Sequence, residues 1–255
     1  MPVLALDTSA AVAVALTDDA GQVLAQRSDA QQRHHAELLT PMIADVLAEA
    51  GVDRRELTAV VVGTGPAPFT GLRVGLVTAR TLALALGIPV HGVPSLDAVA
   101  VRASWVLPAG TDVVVATDAR RREVYWALYR LVDAGRIDVL VPPEVSAAAD
   151  VAADPRTAGA LTIGRGAALY ADTFVRRVEG AVPGPVVAPA ALPGTAALAD
   201  EAPDLEGSGL LDPDPAELAR LALARLAEGR VLDTEPLYLR RPDAVPQAAR
   251  KRVLG

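Results

Sequence analysis

The chain contains no cysteine. That excludes disulfides, thiolate metal sites and a cysteine nucleophile. Lysine is almost missing as well: Lys251 is the only one, so positive charge rests on arginine. Aromatic residues make up 3% of the chain and hydrophobic residues 51%, so alanine, valine and leucine must fill the core. His34, His35 and His91 are the only imidazoles. A net charge of -7 over 255 residues argues against stand-alone binding to nucleic acid, because phosphate contacts need clustered basic side chains. The N-terminus lacks a basic region, and Asp7 interrupts the first apolar run. No signal peptide and no apolar run of transmembrane length is read, so a cytoplasmic protein is the expectation. The length allows one large domain or two small ones.

The most informative stretch is Val60-Val61-Val62-Gly63-Thr64-Gly65-Pro66-Ala67-Pro68-Phe69-Thr70-Gly71-Leu72-Arg73-Val74-Gly75. Three β-branched residues run into a loop of glycines and prolines, and an apolar segment follows over 72–86. The pattern predicts a buried strand, a stiff turn and a helix. Gly63, Gly65 and Gly71 permit positive φ or close backbone approach. Pro66 and Pro68 remove two amide donors. Thr70 is the expected cap of the helix. Two readings are open: a loop that holds a phosphate or a partner at a helix N-terminus, or only a sharp strand-to-helix turn. The Lys-Ser/Thr of a P-loop is missing, and the glycine spacing is not the dinucleotide fingerprint.

Before this loop, residues 3–6, 11–16 and 22–27 predict an antiparallel meander of three strands. The first ends in Asp7-Thr8-Ser9, whose carboxylate and hydroxyls suit either a phosphate loop or a turn that bonds its own backbone. Leu38, Leu39, Met42, Ile43, Val46 and Leu47 recur at helical spacing, with Gly51 as the stop signal. Pro41 either kinks this helix or starts its main part, with Thr40 as cap. A strand over 88–93 and a short helix to Trp105, capped by 94–97, follow.

The second half repeats this design. Strands are expected at 112–117, 123–132 and 137–141, with Asp118-Ala119-Arg120-Arg121-Arg122 between the first two. The three arginines suit phosphate or RNA, or a solvated turn. Helices are expected at 146–153 and 167–177, a strand at 161–163, and an irregular crossing over 181–194. An amphipathic helix over 213–228 is capped by Asp212 or Asp214 and closed by Gly229.

Gly-Pro-Ala-Pro-Phe-Thr-Gly-Leu-Arg-Val-Gly resembles the signature loop of the TsaB (YeaZ) family. His35-x-x-Leu38-Leu39-x-Pro41, Asp118-Ala119-Arg120 and Pro236-x-Tyr238-x-Arg240 are similar to further motifs of that family. Ala67 and Pro68 stand where the family has glycine and serine. An alanine there requires negative φ, and the lost hydroxyl lowers the prospect of anion binding. The family's peptidase-like relatives carry two histidines four residues apart on the first helix. Leu38 and Leu39 occupy those places here, so no metal site is expected.

The resemblance implies two α/β lobes, RNase H-like, of the actin-like ATPase (hexokinase, heat-shock chaperone, actin) superfamily. The expected first lobe spans 1–107, the second 108–240, with the 213–228 helix a candidate to pack back on the first lobe, and a tail covers 241–255. The implied function is a non-catalytic scaffold in the synthesis of threonylcarbamoyladenosine at tRNA position 37. Its implied partners are a catalytic, TsaD-like transferase paralogue and a TsaE-like ATPase subunit, with tRNA met only through the complex and a homodimer formed when alone. An actin-like ATPase or a metal-dependent peptidase-like enzyme is the rival. No catalytic residue, cofactor or metal is expected; Asp7, Thr8 and Ser9 are weak candidates for a cofactor. The family loop residues are Gly63, Gly65, Pro66, Phe69, Thr70, Gly71, Arg73 and Gly75. Two helices more apolar than one core contact needs predict a partner surface at Leu39, Met42, Ile43, Val46, Leu76, Ala79, Arg80 and Ala83.

Overall fold

The computed structural model describes residues 1–29, 35–174 and 210–240. Strands β1 (Val3–Asp7), β2 (Val12–Thr17) and β3 (Val23–Asp29) form the expected meander. Asp18 sets the β2–β3 turn, its Oδ1 accepting from the Ala20 and Gln22 amides. Helix α1 (His35–Ala50) runs through Pro41 without a break. Strand β4 (Ala59–Gly63), helix α2 (Phe69–Leu86), strand β5 (Val90–Val93) and helix α3 (Ser95–Ser104) complete the first half. Gly87 ends α2 in the left-handed region at φ 69°, the geometry that favours glycine.

The second half carries β6 (Asp112–Asp118), β7 (Glu123–Asp133), β8 (Arg136–Ala147), α4 (Ala148–Ala153), β9 (Leu161–Ile163), α5 (Arg165–Leu169) and α6 (Pro215–Ala227). Two sheets result, ordered β3-β2-β1-β4-β5 and β8-β7-β6-β9. In each, an antiparallel meander leads into parallel pairing, β1 with β4 and β6 with β9. This is the duplicated RNase H-like arrangement of the actin-like superfamily, the fold class that the motifs implied.

Helices cover the sheets on both faces. Leu4, Leu6, Val12, Val14 and Leu16 point to α1 and α2, and Val3, Ala5, Val61 and Val93 point to α3 and α6. Helix α3 lies between the two sheets. Its Ala98 and Val101 pack toward the first sheet, and its Leu96, Val99, Ala100 and Ala103 toward Val113, Val115, Ala127, Tyr129 and Leu131 of the second. Nine of its ten residues are buried. Its buried polar residues, Ser95, Asp97 and Ser104, are hydrogen-bonded, as burial of polar groups requires.

Several details differ from the sequence expectations. Helix α2 starts at Phe69 with Pro68 as N-cap, so Thr70 is not a cap; the proline sets φ before the first turn, and no side chain bonds there. Asp97 does not cap α3; its carboxylate turns inward, accepting from Tyr129 Oη at 2.8 Å and Arg225 Nη2 at 2.6 Å. Ser146 belongs to β8, and α4 begins at Ala148. Helix α5 spans only Arg165–Leu169. Of the two candidate caps for α6, Asp214 serves, through the Ala216 amide; Asp212 pairs with Arg165 instead. His34, the 181–194 crossing and the 241–255 tail lie outside the described residues. By length and composition α2 is apolar enough to cross a membrane, which the sequence reading missed. The helix packs on β4 and β1 through Leu72, Leu76, Ala79 and Ala83 and leaves Val77 and Leu84 exposed.

The Asp97–Arg225–Tyr129 cluster joins α3, α6 and the second sheet. A buried carboxylate is tolerated when paired and hydrogen-bonded, and removing one partner is costly. Arg225→Leu is therefore expected to destabilise the fold by about 3–5 kcal/mol, and Tyr129→Phe by about 1–3 kcal/mol. Urea unfolding measures both; a midpoint for Arg225→Leu equal to that of the parent contradicts the assignment.

Candidate functional site

The turn at the end of β1 and the loop after β4 lie side by side. Asp7 Oδ1 accepts from the Ser9 amide at 2.7 Å and the Ser9 hydroxyl at 2.5 Å. Its Oδ2 accepts from the Ser95 hydroxyl at 2.6 Å. Ser95 in turn accepts from the Gly65 amide at 3.1 Å, and its own amide donates to the Gly65 carbonyl. Thr8 Oγ1 donates to the Gly71 carbonyl at 2.8 Å and accepts from the Gly75 amide at 3.0 Å. These bonds explain the glycines. A Cβ at Gly63 would overlap Asp7 Oδ2, and one at Gly75 would press on Thr8 Oγ1. Gly65 has φ +87°, where only glycine is at ease. Ala67 is not among the positive-φ residues, as its side chain requires.

Phe69 and Arg73 of the same loop have a different role. Arg73 stacks on the Phe69 ring at 3.5 Å and donates to Tyr238 Oη at 2.9 Å. The Phe69 and Tyr238 rings lie 5.2 Å apart. Residues 230–240 form an extended strap that crosses the first half and reaches the second. The Leu237 amide donates to the Thr64 carbonyl, and the Gly92 amide to the Leu232 carbonyl. A Cβ at Gly92 would overlap the Asp233 carbonyl. Arg80 holds Thr234 and Glu235. Arg240 donates to the Ala119 carbonyl at 2.6 Å and pairs with Glu123 at 2.9 Å.

The residues expected to form a partner surface are mostly internal, a correction to the sequence reading. Leu39, Met42, Ile43, Val46, Leu76, Ala79 and Ala83 are buried in the core between the sheet and the helices, and Arg80 is engaged by the strap. The periodicity marked the side facing the sheet, as amphipathic spacing in a globular protein usually does. What α2 leaves open is the opposite side: Val77 is 61% exposed and Leu84 83%. The neighbouring outer side of α1 presents Thr40, Pro41, Ala44 and Ala48. Strong periodicity could not reveal these, because the open stripe is short and partly polar.

His91 is half-buried and its pKa is lowered by that burial. Among the described residues no group of three or more histidine or acidic side chains is placed to hold a metal. Ser95, Asp97, Tyr238 and Arg240 are the organising side chains that sequence reasoning missed or left without a partner.

Burial pushes the Asp7 carboxyl up to about 6, against the bonds from Ser9 and Ser95, with the nearby Asp212 adding to the rise. The folded chain therefore holds the proton in a pH range where the unfolded chain has lost it. A raised carboxyl pKa means stability is lost as pH rises from the ordinary aspartate value of 3.8 to about 6, on the order of 3 kcal/mol for such a shift. Asp7→Asn cannot ionise. Urea unfolding across this window is expected to show a smaller decline for the variant than for the parent; parallel curves contradict the burial argument.

A family model described as TsaD, tRNA N6-adenosine threonylcarbamoyltransferase, matches residues 22–175. The chain is 42% identical over 226 residues to an uncharacterized protein of Mycobacterium tuberculosis, covering 89% of this chain and 84% of that one. It is 39% identical over 131 residues to the tRNA threonylcarbamoyladenosine biosynthesis protein TsaB of Escherichia coli (strain K12), covering 51% of this chain and 55% of that protein. The match thus spans about half the length of that relative. The solved structure of YeaZ from Pseudomonas aeruginosa superposes with a TM-score of 0.69 at 31% identity, covering 93% of this chain and 99% of that one. With the loop, the duplicated sheets and these likenesses together, the chain belongs to the TsaB (YeaZ) family.

Proposed function

We propose that this chain is a scaffold subunit of the machinery that makes threonylcarbamoyladenosine in tRNA, pairing with a catalytic threonylcarbamoyl transferase of the same fold. The Escherichia coli relative carries the name of that pathway, and the family model that matches here describes the transferase. The observation that carries the pairing is the open stripe of α2. Val77 and Leu84 lie seven residues apart, on one helical face, beside the small outer residues of α1. Small side chains let a partner helix approach closely. Paralogous chains offering the same two helices would form a pseudo-symmetric four-helix contact, and two copies of this chain would use the same face in a homodimer.

The scaffold role, rather than a catalytic one, is supported by the turn and loop. Asp7, Thr8 and Ser9 bond to one another's neighbours, to Ser95 and to α2, so the polar atoms that a nucleotide would use are already engaged. Pro66 and Pro68 offer no amide. In this reading the lobes run over 1–107 and 108–240, tRNA is met within the complex, an ATPase subunit joins it, and the assembly works in the cytoplasm.

Leu84→Arg combined with Val77→Glu is expected to leave the far-ultraviolet circular dichroism unchanged and to lower capture of the transferase at least tenfold in a pull-down. Ala79→Arg, by contrast, places a charge in the core and is expected to unfold the chain. Capture at parental strength by the folded double variant would place the contact elsewhere.

A further inference from the structure

Two arginines share the exposed stripe of α2, and they are used differently. Arg80 is taken up by the strap. Its Nε donates to Thr234 Oγ1 at 2.8 Å, and its Nη2 donates to the Thr234 carbonyl at 2.6 Å and to the Glu235 carboxylate at 3.3 Å. Its charge therefore has a carboxylate beside it. Arg73 has none among the described residues. Its hydrogen bond runs from Nε to the neutral Tyr238 Oη at 2.9 Å. Its terminal nitrogens, Nη1 and Nη2, have no partner among the described residues.

Arg73 is nevertheless held in place. Its guanidinium carbon lies 3.5 Å from the Phe69 ring centroid and 5.7 Å from that of Tyr238. Phe69 is the first residue of α2, one helical turn before Arg73. Tyr238 is fixed through the strap on either side of it. The Leu237 amide donates to the Thr64 carbonyl, and Arg240 holds the Ala119 carbonyl and Glu123. A long exposed side chain ordinarily loses rotamer freedom when a ligand fixes it. Here the stacking and the Nε bond have already set the plane of the guanidinium, so less freedom remains to be lost.

The open edge, Nη1 with Nη2, is a planar pair of donors that matches the two oxygens of a carboxylate or a phosphate. The surroundings favour the carboxylate of a protein. Phe69, Arg73 and Val77 follow one another at steps of four, and Leu84 comes seven later, so they lie along one side of α2. Val77, Leu84 and Tyr238 are exposed. Arginine and tyrosine are residue types in which protein contacts concentrate their energy. Polyanion binding draws several cations together, whereas Glu235 adds a negative charge on this flank of α2.

We infer that Arg73, held by Phe69 and Tyr238, is the polar anchor of the α2 face, and that its Nη pair takes a carboxylate of the transferase. The inference rests on the proposed function for the identity of the partner. It adds the residue that fixes how the partner is seated. Val77 and Leu84 supply apolar area without direction, whereas a guanidinium–carboxylate pair sets register. A partner docked on Val77 and Leu84 also removes water from around the pair, which strengthens it. Tyr238 is a positioning residue that acts through Arg73.

The test measures binding of the purified transferase from the same organism by calorimetry over a salt series. The chains compared are the parent, Arg73→Gln, Arg73→Lys, Tyr238→Phe, and Arg73→Gln combined with Tyr238→Phe, each checked for folding by circular dichroism. Arg73→Gln is expected to bind at least about tenfold more weakly at low salt, with a shallower salt dependence, because a charge pair across the contact is gone. Arg73→Lys keeps the charge without the fork and is also expected to bind more weakly than the parent. Tyr238→Phe is expected to weaken binding about threefold in the parent and to add nothing in Arg73→Gln, a non-additivity that a merely structural tyrosine does not produce. A Tyr238→Phe loss that persists in Arg73→Gln overturns the positioning role. Parental affinity and salt dependence for Arg73→Gln overturn the inference, as does parental affinity for Arg73→Lys. Unchanged transferase binding by Arg73→Gln, with weaker binding of an unmodified tRNA transcript by its complex, makes the fork a phosphate contact and also overturns it. A parent that does not bind the transferase overturns the proposed function, and the inference with it; a parent that binds no better than Arg73→Gln overturns the inference alone.

Discussion

The arrangement depends on one buried charge. Asp97 sits in a helix enclosed on all sides, and it is tolerated there because Arg225 and Tyr129 reach it from two other elements. The pair is short and hydrogen-bonded, which is what a buried carboxylate requires. Because α3 belongs to the core of both sheets, the lobes share a helix rather than meeting across a surface. A second charged group reinforces it: Glu217 on α6 is fully buried, and it pairs with Arg220 at 2.7 Å and approaches Arg102 at 3.7 Å. Burial raises its pKa, while the arginines oppose the rise. Moving one sheet away from the other would have to unpack α3 and separate Asp97 from Tyr129.

The same helix fixes the site. Ser95, its first residue, bonds both Asp7 of β1 and Gly65 of the loop. Ser104, its last, accepts from the Gly135 amide at the β7–β8 turn. The end of β1, the signature loop and the second sheet are thus held in register by the two ends of one ten-residue helix. Thr8 then passes the constraint to α2 through the Gly71 carbonyl and Gly75 amide. A loop that resembles a phosphate cradle in composition serves here as a packing joint, and Gly63, Gly65 and Gly75 each have an identified neighbour that an added methyl group would press on.

The elements themselves were legible because their signals are local. Alternation gave β2 and β7, a short apolar run marked β1, the apolar run with Gly87 marked α2, and Asp214 with Gly229 bounded α6. What was not legible depends on contacts distant in sequence. Asp97 reads as a helix cap from its neighbours, and only Arg225, far along the chain, turns it inward. Tyr238 and Arg240 stood out as a motif, but nothing in their own spacing says that they hold Arg73 and Ala119. The residues expected to form a partner surface are buried for a related reason. Helical periodicity reports which residues share a side, and the strongest side is the one that the sheet covers. The weaker side, with Val77 and Leu84, carries threonines and arginines that dilute the pattern.

Helix α2 therefore has three distinct neighbours around its axis. Leu72, Leu76, Ala79 and Ala83 face the sheet. Arg73 and Arg80 grip the strap through Tyr238, Thr234 and Glu235. Val77, Thr81 and Leu84 face outward. Arg73, Val77, Arg80 and Leu84 follow one another at helical spacing along one exposed stripe, so the arginines that hold the strap alternate with the open apolar residues. The strap engages the two arginines of that stripe and leaves Val77 and Leu84 exposed. At its far end it also clamps the hairpin of arginines, through Arg240. One extended segment of eleven residues, 230–240, therefore touches both α2 and the β6–β7 hairpin.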